Sequence, residues 1–280
     1  MSDFFQNGNI TTLHNLSRRP VEEIEAELDK FSEQRPLSLV LPSLYSEISG
    51  PALPNIVKEL AKVSYLSEIV VGLDRANQEE YQHALGFLSA LPQPHRVLWN
   101  DGPRLQKIDE ELQSHGLAPQ ELGKGRNVWY CLGYVLASGR TASVGLHDCD
   151  IITYDKELLA RLMYPVANPQ FNFEFCKGYY SRWSEGKING RVSRLLVTPL
   201  IRTLKRVCGP LDYLEYMDSF RYPLSGEISF RVGVVIVMRI ACAWGVERGV
   251  RSERYRMWSS NVLCVVAGAE SWGPGLGRGA

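Results

Sequence analysis

The first half of the chain alternates between two hydrophobic patterns. Short, nearly continuous apolar runs are typical of strands buried on both faces of a parallel sheet, whereas apolar residues three and four positions apart are typical of helices. The segment after Pro20 begins with the helical pattern, in which Val21, Ile24, Leu28 and Phe31 share one face. The segments that follow are predicted, in chain order, as strand 37–42, helix 51–63, strand 67–74, helix 77–91, strand 95–101, helix 125–137 and strand 142–150.

This alternation of strands and helices predicts an α/β, Rossmann-like fold. Units of strand, helix and strand at such spacing place their strands parallel in one open sheet, with helices packed against it. Open sheets of this kind bind ligands beyond the carboxyl ends of their strands. Polar side chains that directly follow a predicted strand are therefore the first candidates for a functional site.

The second half of the chain contains fewer clear elements. An amphipathic helix is predicted within 186–206, where Gly190 and Arg191 precede its apolar face. The longest apolar run, 232–244, carries Arg239. Because this run is too short to cross a bilayer, it predicts a buried strand or helix.

Composition narrows the class of protein. Of the 280 residues 45% are hydrophobic, and 31 basic side chains balance 31 acidic ones. The resulting net charge of zero gives no electrostatic reason to expect nucleic acid or an anionic membrane as a partner. Six cysteines without a CxxC pair, and only five histidines, argue against a disulfide framework or zinc knuckle and favour a reducing cytoplasm. The first twenty residues lack the pattern of a secretory signal.

Two carboxylates stand at the end of the strand predicted at 142–150. Asp148 and Asp150 are two positions apart, so on an extended segment they point to the same side. Carboxylates held so close repel each other unless a cation lies beside them, and Mg²⁺ typically takes one or two carboxylates together with substrate phosphates. The alternative is turn chemistry, in which both side chains are solvated or cap the next segment.

Polar residues at other strand ends support the interpretation as a cation site. Ser43 and Glu47 follow the strand at 37–42, and Asp74 ends the strand at 67–74. Since the carboxyl ends of parallel strands share one edge of the sheet, these groups should meet Asp148 and Asp150 there. We therefore predict a metal–diphosphate site at the mouth of the sheet.

Three further segments carry candidate chemistry. Lys124, in "LGKGRNVWY", lies between two glycines at a helix start, where an ammonium and backbone N–H groups suit an anion. Arg191 and Ser193 would offer a similar site for phosphate or carboxylate. Glu227, after the turn "PLSG", could bind a sugar hydroxyl. The alternatives are, respectively, an exposed lysine in a helical first turn, a solvated loop arginine and an acid that caps a turn.

Taken in order, these segments resemble the glucosyl-3-phosphoglycerate synthases and their mannosyl relatives, which are retaining glycosyltransferases with the GT-A fold. The resemblance covers roughly residues 37–266 and is carried by "LPSLYSE", "IVVGLD", "GKGRNVW", "HDCD", "FEFCKGYYSR", "NGRVSRLLVTPL" and "YPLSGEIS". It implies a mostly parallel GT-A sheet flanked by helices. It also implies a division into an N-terminal helical extension at 1–35, a nucleotide-sugar-binding half at 36–165, and an acceptor-binding half with a divergent tail at 166–280.

The resemblance also implies roles for the candidate residues. The residues expected at the donor are Pro42, Ser43, Leu44 and Glu47 beside the base and ribose, Asp74 next to the base, Lys124 near the donor, and Asp148 at the ribose. The residues expected at the acceptor's phosphate are Gly190, Arg191 and Ser193. Asp150 is expected to hold the divalent ion, Mg²⁺ or Mn²⁺, and Glu227 to bind the transferred sugar. Asp150, Glu227 and Lys124 are thus the predicted catalytic residues.

The chain departs from the family pattern at two places. Tyr45 and Ser46 replace two of the acidic or amide residues of the first loop. Near the C-terminal end, Ala243 falls close to an expected acid and Trp272 at the position of a metal-binding histidine. A metal held by Asp150, diphosphate oxygens and water could still form, but more weakly.

The activity implied is transfer of glucose from UDP- or GDP-glucose to the 2-hydroxyl of 3-phosphoglycerate, by a homodimer. Close alternatives are a mannosyl-3-phosphoglycerate synthase and a glucosylglycerate synthase. The missing histidine also leaves open a sugar-nucleotide-binding protein with impaired turnover. A nucleotidyltransferase is a further alternative, although the glycine-rich loop that such an enzyme places after its first strand is absent.

Overall fold

The computed structural model describes residues 10–13, 15–119, 121–184, 187–188, 192–220, 224–238, 240 and 262–270. The strands in this part of the chain are β1 (Thr11–Leu13), β2 (Leu37–Leu44), β3 (Leu66–Asp74), β4 (His95–Trp99), β5 (Ser143–Leu146), β6 (Phe175–Ser184), β7 (Lys187–Ile188), β8 (Ile228–Arg231) and β9 (Val262–Glu270).

Helices connect most of these strands. They are α1 (Val21–Gln34), α2 (Ala52–Leu60), α3 (Gln78–Leu88), α4 (Pro103–Ser114), α5 (Lys124–Ser138), α6 (Lys156–Ala167), α7 (Thr198–Cys208), α8 (Asp212–Asp218) and α9 (Val232–Val237). Short 3₁₀ turns cover Asn15–Arg18 and Tyr45–Glu47, and a π-helical segment, Val192–Val197, leads into α7. In this part of the chain, no helix combines the length and apolarity that a bilayer crossing needs.

The strands form one sheet in the order β1-β9-β6-β8-β5-β2-β3-β4, and β7 pairs with β6. Pairing is parallel from β5 through β2 and β3 to β4, which are the four strands predicted from the sequence. β8 runs antiparallel between β5 and β6, and β6, β9 and β1 are again parallel to one another. The prediction of a mostly parallel sheet is confirmed.

Apolar residues cover both faces of the sheet. In β2, Leu39 and Leu41 belong to one buried cluster while Val40 between them belongs to another, and in β3 Ile69 and Val70 divide in the same way. Alternating side chains of a strand point to opposite faces, so each cluster fills one side. Burial on both faces explains why these strands show continuous apolar runs.

The described part of 1–35 is integrated into this fold. β1 joins the sheet beside β9, and α1 buries Val21, Ile24 and Leu28 in the same cluster as Leu39. The helical pattern after Pro20 is thus confirmed. The division of the chain at residues 36 and 166 stays a prediction.

Three predicted elements need correction. The strand predicted at 95–101 ends at Trp99, so Asn100 and Asp101 lie after it. The strand predicted at 142–150 ends at Leu146, because its pairing with β2 stops at Val40, so Asp148 and Asp150 lie in a turn after the strand. The run at 232–244 is predicted as a buried strand or helix, and its residues 239 and 241–244 lie outside the described residues. In the described part, α9 covers the first six residues of the run but leaves Ile236 and Val237 half or more exposed.

Candidate active site

An open cavity of about 400 Å³ lies at the carboxyl ends of β2 and β3, next to the turn after β5 and the first turn of α5. Its volume is in the range of small-molecule sites. The predicted residues that line it are Pro42, Ser43, Leu44, Glu47, Asp74, Lys124, Asp148 and Asp150. The parallel sheet therefore brings together side chains that lie more than a hundred positions apart in the sequence.

Glu47 forms one wall of the cavity at the end of β2. Its Oε2 accepts hydrogen bonds from Ser43 Oγ and from the backbone N–H of Leu44, both at 2.9 Å. These bonds fold the loop after β2 into a 3₁₀ turn. Burial raises the pKa of Glu47, and the nearby charges of Asp148 and Asp150 act in the same direction.

Tyr45, where the family pattern has an acid or amide, does not line the cavity. Its hydroxyl lies 3.2 Å from His83 Nδ1 on α3. The substitution therefore replaces a polar loop residue with a contact between the loop and α3. Of the three positions 45–47, only Glu47 lines the cavity.

Asp74, the last residue of β3, is held by two amides. Asn100 Nδ2 donates to its Oδ1 at 2.7 Å, and Asn127 Nδ2 donates to its Oδ2 at 3.3 Å. Burial raises the pKa of Asp74, while these hydrogen bonds oppose the rise. The Asp74 carboxylate, which lines the cavity, is thus oriented by neutral groups.

Lys124 and Asp148 form an ion pair at the cavity. Lys124 Nζ lies 2.6 Å from Asp148 Oδ1, and the two side chains are 30% and 27% exposed. Lys124 is the first residue of α5, whose N-terminus lies at the cavity. The positive end of the helix dipole and the ammonium together suit an anionic group.

Asp148 also packs against the turn before β8. A Cβ built on Gly226 would overlap Asp148 Oδ2 and would lie 2.6 Å from Asp148 Cγ, so any larger residue there would force the Asp148 side chain to move. Glu227 follows this glycine, is 1% exposed and does not line the cavity. The structure therefore places Glu227 behind the cavity wall and not in the wall itself.

Lys177 on β6 supports the same turn. Its side chain is 1% exposed, and its Nζ donates to the backbone oxygen of Ser225. Ser225 Oγ in turn donates to Gly178 O at 2.6 Å, and Gly178 N donates to Glu227 O at 3.0 Å. Strand β6 thus fixes the segment that presses on Asp148.

The chemistry of the carboxylates suits Mg²⁺ or Mn²⁺. Asp148 and Asp150 line one cavity, and carboxylate oxygens are the ligands that hard divalent ions prefer. Among the described residues, however, no group of three or more His, Cys, Asp or Glu side chains is placed to hold a metal. A metal at Asp150 would therefore need ligand oxygens and water in its remaining positions.

The predicted acceptor residues are described only in part. Ser193 lies in the π-helical segment before α7, is 6% exposed and does not line the cavity. Its Oγ is buried and has no hydrogen-bond partner in the described ranges. Gly190 and Arg191 lie outside the described residues, as do Ala243 and Trp272.

Sequence reasoning missed several residues of the cavity. Arg75, Asp101, Arg126 and Asn127 line it, and Asn100 lies directly behind Asp74. Asn100 and Asp101 directly follow β4, so the rule that identified Asp74, a polar residue at a strand end, applies to them as well. Arg126 and Asn127 lie in the first turn of α5, one and two residues beyond the glycine that follows Lys124.

Arg126 is held from behind by α4. Its Nη2 lies 3.4 Å from Asp109 Oδ2, and its guanidinium carbon lies 5.2 Å from the centre of the Tyr130 ring. The Tyr130 hydroxyl donates to the same Asp109. Burial and this hydrogen bond raise the pKa of Tyr130 to about 12, so the phenol stays protonated.

His147, directly before Asp148, belongs to the core. It is fully buried, and its Nδ1 lies 3.0 Å from the Tyr154 hydroxyl. Burial lowers the pKa of His147 to about 3, so the ring is neutral at physiological pH. His147 does not line the cavity.

The chain is similar over most of its length to known enzymes. It is 48% identical over 266 residues to the glucosyl-3-phosphoglycerate synthase of Persephonella marina, and 35% identical over 267 residues to that of Methanococcoides burtonii. These alignments cover 95% and 94% of the chain but only 66% and 65% of the two relatives. No protein-family model matches the chain.

Solved structures of the Mycobacterium tuberculosis glucosyl-3-phosphoglycerate synthase share the fold. The complex with phosphoglyceric acid matches with a TM-score of 0.65 and 19% identity, over 93% of this chain and 79% of that one. The complex with Mn²⁺, UDP and glucosyl-3-phosphoglycerate matches with a TM-score of 0.66 and 19% identity, over 93% and 78%. The predicted GT-A fold is confirmed, and the identity with the two relatives shows that the chain belongs to the glucosyl-3-phosphoglycerate synthase family.

Proposed function

We propose that the chain transfers glucose from a nucleoside-diphosphate glucose to the 2-hydroxyl of 3-phosphoglycerate, with retention at the anomeric carbon. The observation that carries the proposal is one cavity that brings three kinds of group together. Asp74 offers a hydrogen-bond acceptor, Lys124 offers a cation, and Asp150 offers a metal ligand. These groups match the base, diphosphate and metal of a sugar nucleotide.

The donor would lie across the strand ends with its base at Asp74 and its diphosphate near the N-terminus of α5. Lys124 now pairs with Asp148, and both side chains remain partly exposed. An incoming diphosphate competes for the ammonium, which would release Asp148 to contact the ribose. Glu47 keeps the loop after β2 folded against the nucleoside.

Asp150 would hold Mg²⁺ or Mn²⁺ together with diphosphate oxygens and water. Bound there, the ion supplies Lewis-acid neutralisation of the charge that develops on the departing diphosphate. The chain itself contributes the Lys124 ammonium and the α5 N-terminus to the same charge. Relatives of this fold have been solved with Mn²⁺ or Mg²⁺ and UDP, which supports the choice of ion.

The acceptor would bind toward α7. The buried Ser193 hydroxyl lacks a partner in the described ranges and suits a phosphate oxygen, and Gly190 and Arg191 precede it in the sequence. Glu227 would meet the transferred sugar once the adjacent turn opens toward the cavity. The acceptor hydroxyl attacks on the face that the diphosphate leaves, and a departing phosphate oxygen takes its proton, so no protein nucleophile is needed.

We propose UDP-glucose as the donor, with GDP-glucose as the alternative. The M. tuberculosis enzyme of this fold was solved with Mn²⁺, UDP-glucose and phosphoglyceric acid. Asp74 alone does not choose between the bases, because uracil and guanine both offer an N–H to a carboxylate. The donor base is therefore the first variable to test.

The test is a matrix of UDP- and GDP-glucose and the corresponding mannose donors against 3-phosphoglycerate and glycerate, with and without Mn²⁺. The proposal expects glucosyl-3-phosphoglycerate with the α configuration from UDP-glucose, only with metal, as read by NMR. Tight donor binding without product would indicate a binding protein instead. Pyrophosphate release from a nucleoside triphosphate would indicate a nucleotidyltransferase.

We also propose that two copies associate through α7. Leu196, Leu200, Leu204 and Val207 form a stripe at helical spacing that is 37–77% exposed, whereas Ile201 is the buried residue of this helix. Exposed apolar surface of this kind marks association sites. Leu200→Glu should halve the mass measured by light scattering, and Arg202→Gln, on the opposite face of the same helix, should leave it unchanged. A monomeric wild-type chain would contradict the proposal.

A cytoplasmic location is part of the proposal. Cys131, Cys149 and Cys208 are free thiols, and the first two of them are buried. Free thiols persist in reducing compartments.

A further inference from the structure

Both oxygens of the Asp74 carboxylate are held by side-chain amides. Each of its oxygens accepts one amide hydrogen bond, from Asn100 at 2.7 Å and from Asn127 at 3.3 Å. The two amides come from different elements, the segment after β4 and the first turn of α5. Rotation of the carboxylate would break both bonds, so its plane is fixed relative to the cavity.

Asn127 is itself oriented by three contacts. Its Nδ2 donates to Gly72 O at 2.9 Å as well as to Asp74, and its Oδ1 lies 3.5 Å from the Cys131 thiol. Burial raises the pKa of Cys131, so the thiol stays protonated and can donate a hydrogen bond to Asn127 Oδ1. A Cβ on Gly72 would overlap Asn127 Oδ1. The space for this amide thus exists because β3 has a glycine there.

Asn100 is fixed through its backbone. Its N–H donates to Leu73 O at 2.9 Å, which places its side chain beside Asp74. The side chain is 1% exposed, and its Oδ1 is buried with no partner in the described ranges. An amide that served only to tie elements together would satisfy both of its polar atoms. Within those ranges, the contact of the Asn100 amide is Asp74.

Other charges also act on Asp74. Asp101, which follows Asn100, raises its pKa, and Arg126 lowers it. Asp101 Oδ2 accepts from the backbone N–H of Ala76 at 3.1 Å, and Arg126 is held by Asp109. Burial is the largest influence and favours the protonated acid. The two amides oppose it by stabilising the carboxylate.

We infer that Asn100 and Asn127 are positioning residues that present Asp74 as an oriented hydrogen-bond acceptor to the imide N–H of the donor's base. This inference rests on the proposed function, which places the base at Asp74. A carboxylate oxygen that accepts one amide bond retains a lone pair for a second donor. Uracil N3–H is such a donor, and a fixed acceptor binds it without the entropy loss of ordering a free side chain.

The test compares Asn100→Leu and Asn127→Leu with Asn168→Leu. Asn168 is also a buried asparagine, but it lies after α6 and contacts Arg35, which precedes the amino end of β2. The probes are uridine and 3-methyluridine, which lacks the imide hydrogen, with guanosine and 1-methylguanosine as the second pair. Nucleosides carry no phosphate, so pH changes between 5 and 8 act on the protein alone.

The wild-type chain should bind uridine more tightly than 3-methyluridine. The Asn100 and Asn127 variants should lose most of that preference, through a rise of about fivefold in the uridine dissociation constant, which is the scale of one hydrogen bond. In addition, weakening of uridine binding as the pH falls should begin at a higher pH in the variants, because the carboxylate has lost a stabilising donor. In turnover, KM for UDP-glucose should rise while kcat stays within about twofold.

Equal preferences in wild type, both variants and Asn168→Leu would overturn the inference and leave the asparagines a structural role. A wild-type chain that prefers neither nucleoside over its methylated form would overturn it as well. If uridine binds as expected but no glucosylated product forms, the proposed transfer fails while the inference stands. Asn127→Ser, which loses the amide but little else, replaces Asn127→Leu if that variant does not fold.

Discussion

Two carboxylates that line the cavity, Asp74 and Asp148, are held with different chemistry. We call the surroundings of Asp74 the base end and those of Asp148 the Lys124 end. Asp74 is held by two neutral amides on buried asparagines, whereas Asp148 is held by the partly exposed ammonium of Lys124. Both ends also rely on a glycine, since Gly72 makes room for Asn127 and Gly226 makes room for Asp148.

The difference predicts which end reorganises on binding. A neutral amide gains little from an approaching diphosphate, so the contacts of Asp74 persist. An ammonium is attracted to the diphosphate, so the Lys124–Asp148 pair is the one that exchanges partners. The base end is thus built for recognition, and the Lys124 end for redistribution of charge.

The largest effect is expected at Asp150, which belongs to the charged end. Asp150→Ala should lower the Mn²⁺-dependent rate by about 10³-fold, since stabilisation of developing charge is commonly the largest catalytic contribution. The rate is measured from UDP release at saturating donor. Asp212→Ala, at the exposed start of α8, is the control and should keep full activity. Full activity of Asp150→Ala would remove the metal role from this residue.

The next largest effect is expected at Lys124. Lys124→Met should reduce kcat/KM by about 10²-fold, because the diphosphate loses its protein cation. Lys124→Arg should retain part of the activity, and Lys107→Met on the exposed face of α4 should retain all of it. If Lys124→Met kept more than half of the wild-type kcat/KM, the comparison between the two ends would be wrong.

Gly72 should dominate stability at the base end. Gly72→Ala forces Asn127 and Cys131 to move within the core and should lower the free energy of unfolding by about 2 kcal/mol. Gly86→Ala, in α3, has open space around the new methyl group and should raise it by about 0.5 kcal/mol. Urea unfolding of the two variants measures whether the free energy of unfolding falls in the first and rises in the second. A neutral Gly72→Ala would show that the amide has room to shift.

Gly226 should affect activity more than stability. Its new Cβ would meet the Asp148 carboxylate, which is partly exposed and can rotate away, so kcat/KM should fall about tenfold with unfolding almost unchanged. Gly233→Ala in α9 meets nothing within 4 Å and serves as the control. Equal kinetics of the two variants would mean that the position of Asp148 is not critical.

The sequence predicted the donor side of the fold because its signals are local. Each of the four parallel strands is an apolar run that ends in a polar residue or is soon followed by one, and this pattern points to Asp74 and Asp148. The same rule applies to Asn100 and Asp101 after β4. They were missed because the predicted strand was extended through them.

Other features depend on contacts that no local pattern reveals. Nothing in "IVVGLD" shows that Gly72 faces Asn127, which lies on a helix 55 positions later. The end of β5 at Leu146 follows from where its partner β2 allows pairing, not from the hydrophobicity of residues 147–150. Burial still alternates through that turn, with Cys149 and Ile151 inside, and therefore both aspartates reach the cavity despite the shorter strand.

The pairing of β1 with β9 sets the order in which the sheet can be completed. Thr11 pairs with Leu263, so the partners are separated by roughly 250 residues of chain. At ribosomal rates of about 5–20 residues per second, the first strand waits on the order of 10–50 s for its neighbour. Once β6 has emerged, it lacks β9 and presents an open hydrogen-bonding edge. A nascent chain of this protein should therefore need protection from aggregation until β9 has emerged.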